Sequence, residues 1–375
     1  MSSGNLAMLV GNGLSIAFSK NLLLNNITTQ VIARLTAKYE GRSDEVARAM
    51  QQVAIRAQAE NPSGDFESLI GAFGGQTDIL DDLRSYALLT EHNHDMAQAI
   101  SEVMLFVQRV RQRGIGHTLQ IIVENSNPDK GSYASISNFL KTGIDAFPNH
   151  VTVANLNYDA LVLTALTEEY RDDFCDMGEG WTAADLQPLS DSKLTAQTLR
   201  TSNSFPTKRI KLLDLHGSVT FWKVGSRYLK IPLEIARDPA VWNRYREMQV
   251  MAFPLVVLAN QHDKIDHVKH YPFQLAYDIA DDDFRSSSHW LIAGYSFRDA
   301  CVNDLLKRAR DTHREPPRIL IVTKGDGPTT YDVENAFGWE SGKFFAHNAQ
   351  IERTGIDGLR ETATWKWFVG EKAPF

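Results

Sequence analysis

The sequence predicts an α/β protein with a doubly wound, mostly parallel β-sheet and a large helical insert after the first strand. Short apolar runs recur along the chain, and most of them end in a glycine or a polar turn. Segments with helical spacing or many turn residues separate these runs, as expected for a parallel sheet. The predicted strands are Ala7–Val10, Val151–Ala154, Ile210–Leu215, Leu255–Ala259, Trp290–Ala293 and Ile319–Val322.

The first strand and the helical insert define the predicted domains. Ala7–Val10 leads into a glycine turn and a helix start, which is the first unit of such a sheet. From about Ile27 to Phe147, apolar residues recur at helical spacing and strand-like runs are few. We therefore assign residues 1–26 and 148–375 to a Rossmann-like domain and residues 27–147 to the insert. The predicted insert helices are Asp44–Glu60, Ile79–Thr90 and Asp95–Gln112.

Three other segments have recognisable local patterns. Alternating apolar residues between Ser218 and Leu233 predict a small antiparallel hairpin attached to the sheet. The stretch Gly178–Thr207 is rich in Ser, Thr, Asp and Pro, which indicates a long surface connection. The run Trp365–Phe368 is expected to pack a final element or to form an oligomer contact.

The composition excludes several classes of protein. A chain of 375 residues that is 43% hydrophobic can bury a large core, and its formal net charge of -7 argues against holding nucleic acid through bulk charge. The two cysteines, Cys175 and Cys301, provide neither a disulfide framework nor a structural zinc site. No signal peptide pattern and no run long enough to cross a bilayer are found. We expect a cytoplasmic protein without a membrane span or a metal.

The first candidate site is the glycine turn Gly11-Asn12-Gly13-Leu14-Ser15, which follows the first predicted strand. Glycines let a backbone approach a pyrophosphate closely, and a following helix start favours its negative charge. Ser15 can donate its hydroxyl to a phosphate oxygen. The alternative is ordinary turn chemistry, since the third glycine of the usual dinucleotide fingerprint is absent.

The second candidate site is Asn155-Leu156-Asn157-Tyr158-Asp159, at the carboxyl end of the next strand. Doubly wound sheets place ligand-binding groups at such ends, and two amides and a carboxylate are concentrated here. The alternative is that Asn157 or Asp159 caps the helix predicted from Leu161 to Glu169. Both roles are compatible, because one side chain is enough for a cap.

The third candidate is His216, which ends another strand and is followed by Gly217. A histidine at a strand end can act as a general base near neutral pH, and the glycine leaves its imidazole uncrowded. The alternative is a structural or merely exposed histidine.

The fourth candidate is the turn Gly294-Tyr295-Ser296 at the end of the strand before Asp299. Its polar groups again follow a strand, and Asn303 lies one helical turn beyond Asp299. An Asp cap at Asp299 explains the carboxylate and the amide, but not the turn. A separate segment, Asp65-Phe66-Glu67, is expected to start a helix.

Taken together, the motifs GNGLS, NLNYD, LHG and AGYSF occur in the order seen in sirtuins, and the chain resembles that family over about residues 6 to 323. The variant forms GNGLS, DFE and GYSFRDACVN are most similar to the prokaryotic sirtuin-like NAD⁺ hydrolases of anti-phage defence. Protein-deacylating sirtuins carry a four-cysteine zinc module, which two cysteines cannot form. The chain therefore does not resemble that branch.

The resemblance implies a role for each motif. Asn157 and His216 would be catalytic, with His216 facing the ribose hydroxyls. Gly11, Gly13 and Ser15 would hold the NAD⁺ pyrophosphate, Asn157 and Asp159 would lie by the nicotinamide and its ribose, and Gly294, Tyr295 and Ser296 would line the adenosine side. Asn12 and Asn155 would also bind NAD⁺.

The implied function is hydrolysis of NAD⁺ by a regulated effector. Such proteins work with a partner such as a HerA-type ATPase or by self-assembly, so we expect a homo-oligomer and a separate partner. Two alternatives stay open: an NAD⁺-dependent protein deacylase or ADP-ribosyltransferase, and a non-catalytic nucleotide-sensing module.

Overall fold

A computed structural model describes residues 4–37, 39, 41–57, 61, 63–74, 76–90, 94–184, 194–258, 261–313 and 315–370. The strands are β1 Leu6–Val10, β2 Val151–Asn155, β3 Phe174–Cys175, β4 Gly178–Ala184, β5 Leu194–Leu199, β6 Ile210–Asp214, β7 Gly217–Val224, β8 Arg227–Lys230, β9 Ala252–Val256, β10 His289–Ala293, β11 Arg318–Val322 and β12 Ala349–Glu352.

Helices separate most of these strands. They are α1 Asn12–Phe18, α2 Leu24–Thr36, α3 Ser43–Arg56, α4 Phe66–Gly71, α5 Gln76–Thr90, α6 His94–Asn125, α7 Tyr133–Ala146, α8 Leu161–Tyr170, α9 Leu233–Arg237, α10 Pro239–Arg246, α11 Gln261–His267, α12 Phe273–Ser286, α13 Ala300–Asp311, α14 Thr330–Phe337 and α15 Ala363–Val369. Among the residues described, no helix is both long and apolar enough to cross a membrane.

The main sheet has seven parallel strands in the order β12-β11-β10-β1-β2-β6-β3. The chain winds outward from β1 in one direction through β2 and β6, and then in the other through β10, β11 and β12. This is the doubly wound order of Rossmann-like folds, with β3 as an extra edge strand. The predicted fold class is confirmed.

Both faces of the main sheet are covered by helices. Side chains of β1 alternate: Leu6, Met8 and Val10 face a cluster that includes helices α7, α8 and α15, and Ala7 and Leu9 face a cluster built from α12, α13 and α14. All five residues of β1 are buried. Burial on both faces explains why this strand appears in the sequence as a continuous apolar run.

The helical insert shares the first of these clusters. Phe66, Leu69 and Ile70 of α4 belong to the same apolar core as Leu6 and Met8 of β1. α3, α5 and α6 correspond to the three predicted insert helices, and residues 58–60 of the first lie outside the described part. α6 is longer than predicted, because it continues from Gln112 to Asn125 along α2 and α10.

A second, antiparallel sheet has the order β4-β5-β8-β7-β9. Its β7–β8 hairpin turns at Gly225, whose φ is +60°. This confirms the hairpin predicted between Ser218 and Leu233, but the predicted attachment to the main sheet is wrong, because the hairpin belongs to this second sheet. The predicted surface connection Gly178–Thr207 is wrong, because it contains β4 and β5 paired with each other. β5 also pairs with β8, so this polar segment obtains its hydrogen bonds as part of a sheet.

The prediction of a parallel strand at Leu255–Ala259 is also wrong. The strand there is β9, Ala252–Val256, which pairs antiparallel with β7 at the edge of the second sheet. Pro254 has no N–H to donate, so it suits an edge strand. Ala259 lies outside the described residues.

The turns that follow β1 and β10 pack backbone against backbone. Gly13 N donates to Gly294 O at 2.9 Å, and Gly294 has a φ of +64°. A Cβ on Gly13 would lie 2.5 Å from Gly294 Cα, and one on Gly11 would lie 2.7 Å from Gly294 O. These glycines are therefore required by the contact between the two turns, whatever else they bind.

Gly13→Ala is expected to lower the free energy of unfolding by about 1–3 kcal/mol, because the new methyl group meets rigid backbone. Urea denaturation followed by circular dichroism measures the change. Gly327→Ala is the control, since a Cβ there meets nothing within 4 Å. Equal midpoints for Gly13→Ala and the control would contradict this account of the turn.

Candidate active site

The carboxyl ends of four neighbouring strands meet at one edge of the main sheet, which we call the carboxyl edge. Val10 of β1 lies opposite Ala293 of β10 on one side and Asn155 of β2 on the other, and Asn155 lies opposite Asp214 of β6. The four predicted motifs follow these strands directly. The register therefore gathers them at one edge, where ligands bind in doubly wound sheets.

Asn155 and Asn157 are held by hydrogen bonds between neighbouring strand ends. The Asn155 amide donates to Asp214 Oδ1 at 2.8 Å and to Asn157 O at 3.1 Å, and its Oδ1 accepts from Asn157 N at 3.1 Å. Asn157 Nδ2 donates to Gly11 O at 3.1 Å. Both side chains are buried. The Asn157 amide is thus fixed against the turn after β1.

Asp159 joins the same turn through Ser15. The Ser15 hydroxyl donates to Asp159 Oδ2 at 2.5 Å, and Asp159 Oδ1 accepts from Leu161 N at 3.0 Å. Burial raises the pKa of Asp159, while these two hydrogen bonds oppose the rise. Asp159 therefore bonds the first backbone N–H of α8, as the capping alternative implies, although the N-cap residue is Ala160. The expected bond from Ser15 to a phosphate would require its bond to Asp159 to break.

His216 lies in a buried pocket of polar groups. Its Nε2 is 3.1 Å from the Tyr277 hydroxyl and 3.5 Å from Asp299 Oδ2. Burial, reinforced by the positive charge of Lys264, lowers the pKa of His216 to about 4. The ring is consequently neutral at pH 7, as a base must be. Its affinity for a proton is, however, weaker than that of an ordinary imidazole.

Lys264 of α11 lies at the carboxyl edge, and the sequence did not indicate it. Its Nζ lies 2.8 Å from Asp299 Oδ2 and 3.0 Å from Glu67 Oε2. Burial alone would lower the pKa of Lys264, but the two carboxylates outweigh it and raise the pKa. Lys264 belongs to the polar segment QHDKIDH, where nothing in the pattern distinguishes it from a surface lysine.

Asp299 makes two kinds of contact at the carboxyl edge. Its Oδ1 accepts from Cys301 N and Val302 N, so it caps α13 as predicted. Burial would raise the pKa of Asp299, but Lys264 and His216 lower it to about 2. The carboxylate is therefore charged at every physiological pH, and it is shared between a helix start and a buried lysine.

Glu67 reaches the carboxyl edge from the helical insert. Asp65 caps α4 by accepting from Glu67 N at 2.9 Å, which confirms the predicted helix start. The Glu67 carboxylate lies 2.5 Å from the Tyr158 hydroxyl through Oε1 and contacts Lys264 through Oε2. The sequence placed Glu67 at a helix start but gave no sign of these contacts.

The turn after β10 contains three of the predicted NAD⁺-binding residues, which differ in their exposure to solvent. Tyr295 is buried, and its hydroxyl donates to Asn303 Oδ1 at 2.7 Å. Ser296 is exposed. Gly294 packs against Gly13 as described above. Of the three residues predicted on the adenosine side, Ser296 has the accessible side chain.

A polar cavity of about 250 Å³ lies at the opposite, amino edge of the main sheet, near the Lys211–Asp283 ion pair. Ligands of doubly wound sheets bind at carboxyl ends, so we do not assign the active site to this cavity. Within the part of the chain that the structure describes, no group of three or more His, Cys, Asp or Glu side chains could hold a metal ion.

Comparison with protein families gives a match to the SIR2-like domain over residues 151–344. The matched segment includes Asn157, His216 and Ser296. The turn after β1 and the helical insert precede this segment. Comparison with curated proteins gives no match.

Asp214, which holds Asn155, is expected to make stability depend on pH. Burial raises its pKa from 3.8 to about 7, so the folded state binds this proton more tightly than the unfolded state. Stability should therefore fall as the pH rises from about 4 to about 7. One pKa unit corresponds to about 1.4 kcal/mol, so the loss is on the order of a few kcal/mol.

Asp214→Asn removes the titration and keeps an oxygen that can accept from Asn155. Urea unfolding at several pH values between 4.5 and 7.5 should show that the variant lacks the wild-type decline. Other groups titrate equally in both proteins, so parallel curves would refute the assignment to Asp214.

Proposed function

The chain belongs to the SIR2-like domain family, and from this premise we propose that it is an NAD⁺ hydrolase that breaks the bond between nicotinamide and ribose. SIR2-like domains use NAD⁺. One observation carries the proposal: Asn157 and His216 follow neighbouring strands and reach the same edge as the glycine turn of β1, at the point where the winding of the sheet reverses. Dinucleotides bind at such points.

The reaction requires little covalent help from the protein. The C1′–N bond breaks, its electron pair leaves with neutral nicotinamide, and the ribose acquires positive, oxocarbenium-like character. A water oxygen then bonds to C1′ and loses its proton, which gives ADP-ribose. The protein must orient the bond and stabilise the spreading charge.

Asn157 is suited to orientation. Its amide is anchored to Gly11 O at 3.1 Å, and its backbone is anchored to Asn155, so its position is set before any ligand arrives. A preorganised amide can position the attacking water or the nicotinamide ribose without reorganising during the reaction.

His216 is suited to hydrogen bonding with the ribose hydroxyls. A pKa of about 4 keeps the ring neutral, so Nε2 can accept a hydrogen bond at physiological pH. The same low pKa limits the ring as a proton acceptor. We therefore assign it mainly to binding the ribose in its reactive orientation, with base catalysis as a smaller contribution.

The glycine turn is assigned to the pyrophosphate, as the resemblance implies. Gly11 and Gly13 have N–H groups already bonded to Ala293 O and Gly294 O, so they would serve by leaving the turn without side chains beside the phosphates. Asn12 would contribute a backbone group, and Ser15 would exchange its bond to Asp159 for a phosphate oxygen. Asn155 and Asp159 would support the ribose side, and Gly294, Tyr295 and Ser296 the adenosine side.

Replacing either proposed catalytic residue should abolish most turnover. For Asn157→Ala and His216→Ala we expect NAD⁺ cleavage to fall by about 10²–10⁴-fold. NAD⁺ affinity should be largely retained in Asn157→Ala, whereas part of the loss in His216→Ala should appear in NAD⁺ affinity, because the ribose contact is removed. Purified protein is incubated with NAD⁺, and nicotinamide, ADP-ribose and cyclised products are separated by chromatography.

Matched controls replace buried residues of the same types that are not among the strand-end motifs of the carboxyl edge. His289 starts β10 and has a pKa lowered to about 4 by burial, and Asn125 ends α6. His289→Ala and Asn125→Ala should keep activity in proportion to folded protein. Wild-type turnover in His216→Ala or Asn157→Ala would overturn the assignment.

Two alternatives have distinct outcomes in this assay. A deacylase or ADP-ribosyltransferase would release nicotinamide only with an acyl-lysine or protein acceptor, although the two cysteines cannot form the deacylase zinc module. A nucleotide-sensing module would bind NAD⁺ without releasing nicotinamide.

We further propose that the hydrolase is a regulated effector of anti-phage defence, since an unrestrained NAD⁺ hydrolase would harm its own cell. Regulation would come from assembly into a homo-oligomer and from a separate partner such as a HerA-type ATPase. This rests on the resemblance to sirtuin-like defence proteins.

Native mass spectrometry should therefore give multiples of the 42.1 kDa subunit at the concentrations used for the assay. Activity with a co-encoded partner should exceed activity of the protein alone. A monomer at all working concentrations would exclude the self-assembly part of the proposal, whatever its activity.

A further inference from the structure

Glu67 occupies an unusual position for a residue of the helical insert. Its two carboxylate oxygens have different partners, the Tyr158 hydroxyl at 2.5 Å and Lys264 Nζ at 3.0 Å. Tyr158 is the residue after Asn157. Lys264 in turn contacts Asp299, which lies 3.5 Å from His216 Nε2. One carboxylate therefore connects to both proposed catalytic residues.

These contacts are shielded from solvent. Tyr158, His216, Lys264 and Asp299 are each less than a tenth exposed. In such surroundings an ammonium group depends on its carboxylate partners, because burial without them is strongly unfavourable. The position of Lys264 is consequently set by Glu67 and Asp299 together.

We infer that Glu67 is a positioning residue through which the helical insert sets the orientation of both proposed catalytic side chains, Asn157 through Tyr158 and His216 through Lys264 and Asp299. Glu67 itself touches no reacting atom. The catalytic part of this inference rests on the proposed NAD⁺ hydrolase function, whereas the link from Glu67 to His216 through Lys264 and Asp299 can be tested without activity.

If the Glu67–Lys264 ion pair had only a structural role, different results would be expected. It would hold α4 against the sheet, and its loss would lower stability without a specific effect on His216. The charged and titratable groups that face His216 are Tyr277 of α12, Asp299 before α13, Lys264 of α11 and Glu67 of α4. Of these, Lys264 lowers the pKa of His216, and Asp299 and Glu67 raise it.

Separate variants test the two contacts of Glu67, one with Tyr158 and one with Lys264. Glu67→Gln keeps the shape of the side chain and removes the charge that holds Lys264. Tyr158→Phe removes the hydroxyl that contacts Glu67 and keeps the ring, which packs on Phe66 at 6.4 Å between centroids. Lys264→Met removes the positive charge and leaves both carboxylates facing His216. Asp283→Asn, which breaks the Lys211 ion pair at the amino edge, is the matched control.

The first measurement is the NMR titration of the His216 imidazole in the full-length protein, assigned by comparison with His216→Ala. Lys264→Met should raise the pH midpoint of the His216 titration by about one pH unit or more. Glu67→Gln should lower this midpoint, and if the midpoint then falls below the pH at which the protein unfolds, the ring stays neutral wherever the protein is folded. Tyr158→Phe and Asp283→Asn should leave the titration unchanged. If Lys264→Met does not fold, the double variant Lys264→Met with Glu67→Gln removes the pair as a unit and should still raise the midpoint.

The second measurement is steady-state NAD⁺ cleavage. Glu67→Gln and Tyr158→Phe should each lower kcat by about 10–100-fold with little change in KM, because they misorient groups that are still present. Asp283→Asn should retain wild-type kcat.

The outcomes distinguish this inference from the proposed function. Wild-type cleavage with unchanged kcat in Glu67→Gln overturns the inference and leaves the hydrolase standing. If the wild type releases no nicotinamide, the hydrolase fails, and opposite titration shifts in Lys264→Met and Glu67→Gln still support the link to His216. A His216 midpoint that is the same in all variants overturns the link.

Discussion

The parallel register of four strands is the constraint on which the carboxyl edge depends. The last residues of these strands lie side by side: Ala293, Val10, Asn155 and Asp214. The residues that follow them are therefore brought together by the strand pairing alone. Hydrogen bonds then join neighbouring strand ends, from Asn155 to Asp214 and from Gly13 to Gly294. A shift of one residue in any of these pairings would break such bonds and separate the motifs.

Burial of this edge explains its unusual protonation. Polar side chains removed from water need internal partners, and Ser15, Asn157 and His216 have them. Where partners supply too little compensation, the neutral form is favoured, which is why the pKa of His216 falls and that of Asp214 rises. Lys264 stays charged because two carboxylates face it. Preorganisation and perturbed titration therefore have the same physical cause.

The sequence predicted the parts of this arrangement that depend on local pattern. Apolar runs such as Ala7–Val10 reveal buried parallel strands, and a register shared by all of them places Asn157 and His216 at one edge. The contact between Lys264 and Glu67 could not be predicted, since it forms only through tertiary packing. Lys264 lies in a polar helical segment, and Glu67 lies at the start of a helix whose other side chains are mostly apolar. Two strands of the second sheet, β4 and β5, were missed for a similar reason. β4 and β5 are polar and depend on pairing with each other and with β8, not on a continuous apolar run.

The helical insert is better regarded as part of the site than as an appendage. The match to the SIR2-like domain begins at residue 151, after the insert, yet Glu67 contacts Tyr158 and Lys264 inside the matched segment. α4 also shares its apolar core with β1, so the insert cannot shift at this point without disturbing the sheet. A segment that precedes the matched domain can thus change the orientation of Asn157 and His216. Differences in such segments offer a physical route by which proteins with the same domain acquire different control.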